Sequence, residues 1–166
     1  MSRRGEGGNN GMKQWLRLVF ILVGILSWGP YTAAADGICT TIPWGEKLSA
    51  VQNLTYSGTA SGILYYTVTR VETCGLSRLE GSRVTYGFRH ERLYSTLVEI
   101  DRTDDLRKIV SLFVETYGLP ETRLEDGWDV SLWENDDLRI KLKSQYATGR
   151  VKIGMYYKPL MLKGEH

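Results

Sequence analysis

From Trp128 to Lys158 the chain alternates apolar and polar residues three times over, a pattern that restricts this stretch to a sheet with one buried face. Trp128, Val130 and Leu132 alternate with Asp129 and Ser131. Leu138, Ile140 and Leu142 alternate with Arg139, Lys141 and Lys143. Val151, Ile153, Met155 and Tyr157 alternate with Lys152, Gly154, Tyr156 and Lys158. Two short polar turns, 134–137 and 146–149, join the runs, so a three-stranded antiparallel meander is expected.

The rest of the chain supplies further elements. Ile63 to Val71 is β-branched and aromatic and reads as a strand. Val84, Tyr86 and Phe88 alternate, and Leu93 to Ile100 follows a polar turn, which predicts a hairpin. Leu106, Ile109, Val110, Phe113 and Tyr117 share one helical face. Thr103 and Asp104-Asp105 suit the start of that helix, and Gly118 and Pro120 its end. An earlier helix is expected after Ile42-Pro43-Trp44-Gly45, because Leu48, Val51 and Leu54 lie three apart. Thr55 to Gly62 reads as a Ser/Thr/Gly loop. The expected fold class is α+β: one antiparallel sheet of five to six strands with two helices packed on one face. The element order also reads as two helix-plus-meander units, residues 42–100 and 104–158.

The N-terminus carries a different signal. Lys13 and Arg17 precede the apolar run Leu18 to Leu26, and Ala33-Ala34-Ala35 follows Gly29-Pro30. A basic start, a short apolar stretch and small residues before Asp36 form a secretory signal peptide over residues 1–35. Met12 is an alternative start that would leave residues 1–11 upstream of it. The apolar run is shorter than the roughly 20 residues of a membrane span. Cleavage near Ala35 would release a single domain, 36–166, into the periplasm or medium, and retention as an anchor is the alternative. Membrane contact is expected only through the export signal. Cys39 and Cys74 would then pair as a disulfide in an oxidising compartment.

Charge follows the same division. The whole chain has 21 basic and 19 acidic side chains. Residues 1–35 hold four of the basic and one of the acidic groups, which leaves 17 and 18, a net charge of −1. A general nucleic-acid binder would keep a strong positive excess, so that partner class is not expected.

The segments Ile42 to Gly45, Tyr86-Gly87-Phe88 with Leu93-Tyr94-Ser95, Phe113 to Glu121, Trp133-Glu134-Asn135 and Leu138-Arg139-Ile140 resemble a loose group of small, mostly uncharacterised exported bacterial proteins. The helix-plus-meander layout is similar to the small outer-membrane-assembly lipoprotein module and to the tandem β-lactamase-inhibitor-protein fold. That resemblance implies a fold and carries no catalytic residue across.

Candidate chemistry is sparse. His90 falls in a hairpin turn and His166 is the last residue. Ser57 to Gly62 lacks the spacing of a serine nucleophile elbow and has no phosphate-loop lysine. The pairs Asp104-Asp105, Glu125-Asp126 and Asp136-Asp137 suit a helix start and turns. No catalytic residue, cofactor or metal site is expected. The patterned surface is the polar face of the C-terminal meander, where Arg139, Lys141, Lys143, Lys152 and Lys158 should project together with Tyr156. Trp44 and Trp133 are expected as exposed contacts beside it. The expected function is a non-enzymatic periplasmic or secreted module that binds an anionic envelope component or a protein partner. A secreted inhibitor or specificity factor of an extracellular enzyme is the alternative, and a small hydrolase with an unrecognised site a further one.

Overall fold

A computed structural model of the chain describes residues 39–68 and 82–164, all within the unit Ala34–His166. The signal segment, Cys74 and His166 lie outside the described residues, as does the end of the strand expected to reach Val71.

Eight strands form one antiparallel sheet: β1 (Leu54–Ala60), β2 (Ile63–Val68), β3 (Ser82–Arg89), β4 (Arg92–Ile100), β5 (Glu121–Glu125), β6 (Trp128–Glu134), β7 (Leu138–Gln145) and β8 (Arg150–Tyr157). Their order is β1-β2-β3-β4-β8-β7-β6-β5. Two four-stranded meanders thus meet side by side, with β4 antiparallel to β8. A single helix of more than one turn, α1 (Leu106–Tyr117), joins the meanders. The expectation of five to six strands under two helices is corrected to eight strands and one helix among the described residues.

Three segments account for the difference. The Leu48, Val51, Leu54 spacing covers only seven residues. In the structure Leu48–Ala50 is a short 3-10 turn and Leu54 opens β1. The backbone around it makes only single-turn bonds within itself, such as Ala50 N–H to Lys47 O, and otherwise pairs with the start of β4 and the turn before it. Gly45 N–H donates to Leu93 O at 3.0 Å, Leu48 N–H to Glu91 O at 2.8 Å, and Leu93 N–H to Glu46 O at 2.8 Å. The segment still covers apolar surface, since Ile42 is buried and Leu48 and Val51 pack on the core. Thr55 to Ala60, expected as loop, is strand because its backbone pairs with β2. Glu121–Glu125 likewise gains its strand character from β6.

Turns close the hairpins through left-handed residues. Ser61-Gly62, His90-Glu91 and Asp126-Gly127 each have two successive positive φ values, the geometry of a tight two-residue hairpin. Between β6 and β7, Asn135 Oδ1 accepts the N–H groups of Asp137 and Leu138 at 2.9 and 2.7 Å. Helix α1 ends as its sequence implies: Gly118 has φ +83° and its N–H reaches Val114 O.

One face of the sheet is the core. Tyr86 and Phe88 of β3, Val98 and Ile100 of β4, Ile153 and Met155 of β8, and Ile140 and Leu142 of β7 are buried there. Leu106, Ile109 and Phe113 of α1 press onto this face, and Cys39, Ile42 and Trp44 extend the cover. The opposite face, called the outer face below, carries the charged residues.

Candidate binding face

Register decides which side chains share the outer face. Residues directly opposite one another in an antiparallel pair lie on the same side. Arg139, Lys141 and Lys143 face Tyr156, Gly154 and Lys152 of β8. Tyr156 and Lys152 in turn face Ser95 and Glu99 of β4. The cations expected together are therefore together, away from the core residues Leu138, Ile140 and Leu142 that alternate with them. Lys158 follows the end of β8 and reaches the same surface through Glu134.

The surface is not a bare row of cations. Glu125 at the end of β5 lies 2.6 Å from Arg123 Nη2, 2.8 Å from Lys143 Nζ and 3.0 Å from Lys141 Nζ. Glu134 lies 2.9 Å from Arg139 Nε and 3.0 Å from Lys158 Nζ. Glu99 lies 2.9 Å from Lys152 Nζ and 3.5 Å from Arg83. Seven cations thus share three carboxylates in these contacts, and the local balance is positive. The hydrogen bonds from Lys143 and Lys141, with a further one from Arg123, lower the Glu125 carboxyl to about 2. Arg139, then Lys158, lowers Glu134 in the same way. The strand alternation revealed the cations. The sequence pattern assigns Glu125 and Glu134 to turns and does not join them to the cations, because both lie at strand ends, where spacing says little about direction.

Two hollows mark this face. The larger, about 1020 Å³, has Tyr94, Leu132, Arg139, Lys141 and Tyr156 in its lining and Met161 on its rim. Met161 belongs to the segment after β8, which Arg89 tethers by donating from Nη1 to Leu160 O at 2.9 Å. Arg89 is buried and lies 4.1 Å over the Tyr94 ring. The smaller hollow, about 330 Å³, opens between Lys141, Lys143 and Lys152 above Gly154. A side chain at Gly154 would meet the Tyr156 hydroxyl at 2.8 Å, so the missing side chain leaves room for the phenol to fold over the strand. Burial raises the Tyr156 pKa, with Tyr65 adding to the effect. The phenol therefore stays protonated at neutral pH and can donate a hydrogen bond. Cations and phenols grouped in this way suit the binding of anionic groups.

Neither tryptophan is an exposed contact, although Trp133 contributes to the lining of the larger hollow. Trp133 pairs with Ile140, is 5 % exposed and packs its ring 5.6 Å from that of Phe113. Its Nε1–H donates to Gly118 O at 2.7 Å. Trp44 is half-buried and stacks on Tyr157 at 6.2 Å, on the core side. Expected as exposed contacts, both are packing residues. The apolar set of β6 also points outward: Val130 and Leu132 pair with Lys143 and Lys141. Val130 is nonetheless 1 % exposed, consistent with the long stems of Arg123 and Lys143, its paired neighbours, covering it. Tyr94 and Arg123, which the sequence did not single out, complete the face. His90 is exposed at its turn. Among the described residues no group of three His, Cys, Asp or Glu side chains could hold a metal ion.

No family model matches the chain, and a search of curated proteins finds no match. Among solved structures, a cysteine-rich secretory protein from Staphylococcus aureus is similar over 70 % of this chain, with 10 % identity and a TM-score of 0.39. The chain spans about 45 % of the length of that protein.

Proposed function

We propose that residues 36–166 form an exported, non-catalytic module that docks an anionic envelope component on the outer face of its sheet. The observation that supports this reading is the convergence of Arg139, Lys141, Lys143, Lys152 and Tyr156 on one face of the sheet beside an open groove. Local positive charge in a net-acidic domain steers an anionic partner to one side of the molecule. Export by the N-terminal signal and a Cys39–Cys74 bridge belong to the same proposal. Alkylation without reductant should then leave both thiols of the exported protein unmodified.

The test is capture from envelope extracts by the tagged, exported protein at low and moderate salt. The comparison is a variant carrying Lys141→Glu and Lys152→Glu. The wild type should retain a component that elutes as salt rises, and the variant should not. Equal retention by both proteins would refute the docking face.

A further inference from the structure

The outer face already holds a carboxylate in its most cationic position. Arg123 comes from the edge strand β5, and Lys141 and Lys143 come from β7, two strands inward. Their charged groups converge on Glu125, which supplies one negative charge against three positive. Glu125 is the one part-buried residue of a strand whose other four residues are exposed, and it lies next to the tight Asp126-Gly127 turn. Among the described residues its β5 backbone has a neighbour on one side only. The carboxylate can therefore swing away without disturbing the core.

The adjoining groove indicates what could replace it. Arg123 and Lys141 border both the Glu125 position and the groove. Leu132, Tyr94, Tyr156 and the 90 % exposed Leu119 give the groove apolar surface, while Glu121 and Glu134 add negative charge. A phosphate polymer or a lipid headgroup layer would leave that apolar surface unused. An extended peptide that presents carboxylate and apolar side chains on the same side uses the cations and the apolar surface together. Its side chains on one side recur about every 6.8 Å, the same repeat that separates Arg139, Lys141 and Lys143 along β7.

Building on the docking role above, we propose that the occupant is an acidic, extended protein segment, one of whose carboxylates displaces Glu125 from Arg123, Lys141 and Lys143. Glu125 is then an internal competitor that holds the affinity down until the partner supplies its own carboxylate.

The test measures binding of a fluorescent hexapeptide, Glu-Ser-Leu-Ser-Glu-Ser, whose glutamates and leucine share one side when extended, to the full exported protein. A lysine-leucine hexapeptide, phosphatidylglycerol vesicles and inorganic polyphosphate serve as comparisons. Glu125→Gln should tighten binding of the acidic peptide about tenfold, the worth of one freed charge-assisted contact. Glu125→Asp, which keeps the charge on a shorter arm, should give a smaller gain and guards against misfolding of the first variant. Adding Lys141→Glu to Glu125→Gln should abolish the gain. Equal peptide affinity for wild type and both Glu125 variants would overturn the competitor role and leave the docking face standing. Tighter binding of vesicles or polyphosphate than of the peptide would overturn the choice of occupant. No binding of any anionic probe by the folded proteins would overturn both this inference and the docking reading.

Discussion

Gly149 offers a sharp test of how the second meander is tied to the helix. It lies in the β7–β8 turn with φ +67°, and its carbonyl accepts the Thr103 N–H at 2.9 Å. Thr103 leads into α1, and its hydroxyl accepts the Asp105 N–H at 3.0 Å. A Cβ on Gly149 would sit 2.6 Å from Thr103 O and 3.0 Å from Thr103 N. Both are backbone atoms that cannot rotate aside. Gly149→Ala therefore carries two costs. The left-handed conformation costs an L residue about 1 kcal/mol. Separating the turn from Thr103 weakens a hydrogen bond worth about 0.5–1.5 kcal/mol and loosens the entry to the helix. The total is about 1.5–2.5 kcal/mol, a substantial part of the ~5–15 kcal/mol typical of a domain. Gly127 provides the control: it has φ +78° with nothing within 4 Å of an added Cβ. Gly127→Ala should show the conformational cost alone, about 1 kcal/mol. Urea unfolding of both variants gives the comparison, provided the slope with denaturant stays constant. Equal destabilisation by the two substitutions would refute a rigid contact between the turn and the helix start.

Other consequences concern the core and the binding face. Phe113→Ala removes a fully buried ring that packs against Trp133 and Tyr117, and should cost about 3–5 kcal/mol in the same unfolding measurement. A loss under about 1 kcal/mol would mean that α1 does not cover the sheet as described. Glu125 titrates at about 2 in the folded chain against an ordinary 4.5, so its ion pairs stabilise the fold above about pH 4.5. That contribution is lost as the pH falls from there towards 2. The melting-temperature difference between wild type and Glu125→Gln should therefore shrink across this window, and a pH-independent difference would contradict the pairing. Gly154→Ala should displace the Tyr156 ring with little loss of stability, since the atoms in its way end a side chain that can turn. Tyrosine fluorescence or ring chemical shifts would detect the move, and an unchanged Tyr156 signal would argue against the folded-over phenol.

What the chain reveals by itself is what depends on near neighbours. The three C-terminal strands, the central hairpin and the helix over Leu106–Tyr117 follow from apolar periodicity sustained over several residues and from turn or cap residues at their ends. The grouping of Arg139, Lys141, Lys143 and Lys152 on one face follows from the same period of two. Tertiary structure alone settled the rest. Leu54–Ala60 and Glu121–Glu125 are strands because a neighbouring strand takes their backbone hydrogen bonds, and their composition carries little sign of it. The segment expected as a first helix divides its backbone bonds between short turns of its own and the start of β4 with its preceding turn. On β6 both alternating sets contain large apolar residues, so the pattern could not say which faces the core. Packing under α1 chose Trp133, and Val130 and Leu132 were left to lie among the charged side chains. The carboxylates that meet the cations come from other strands and from strand ends, contacts made through space that no local spacing encodes.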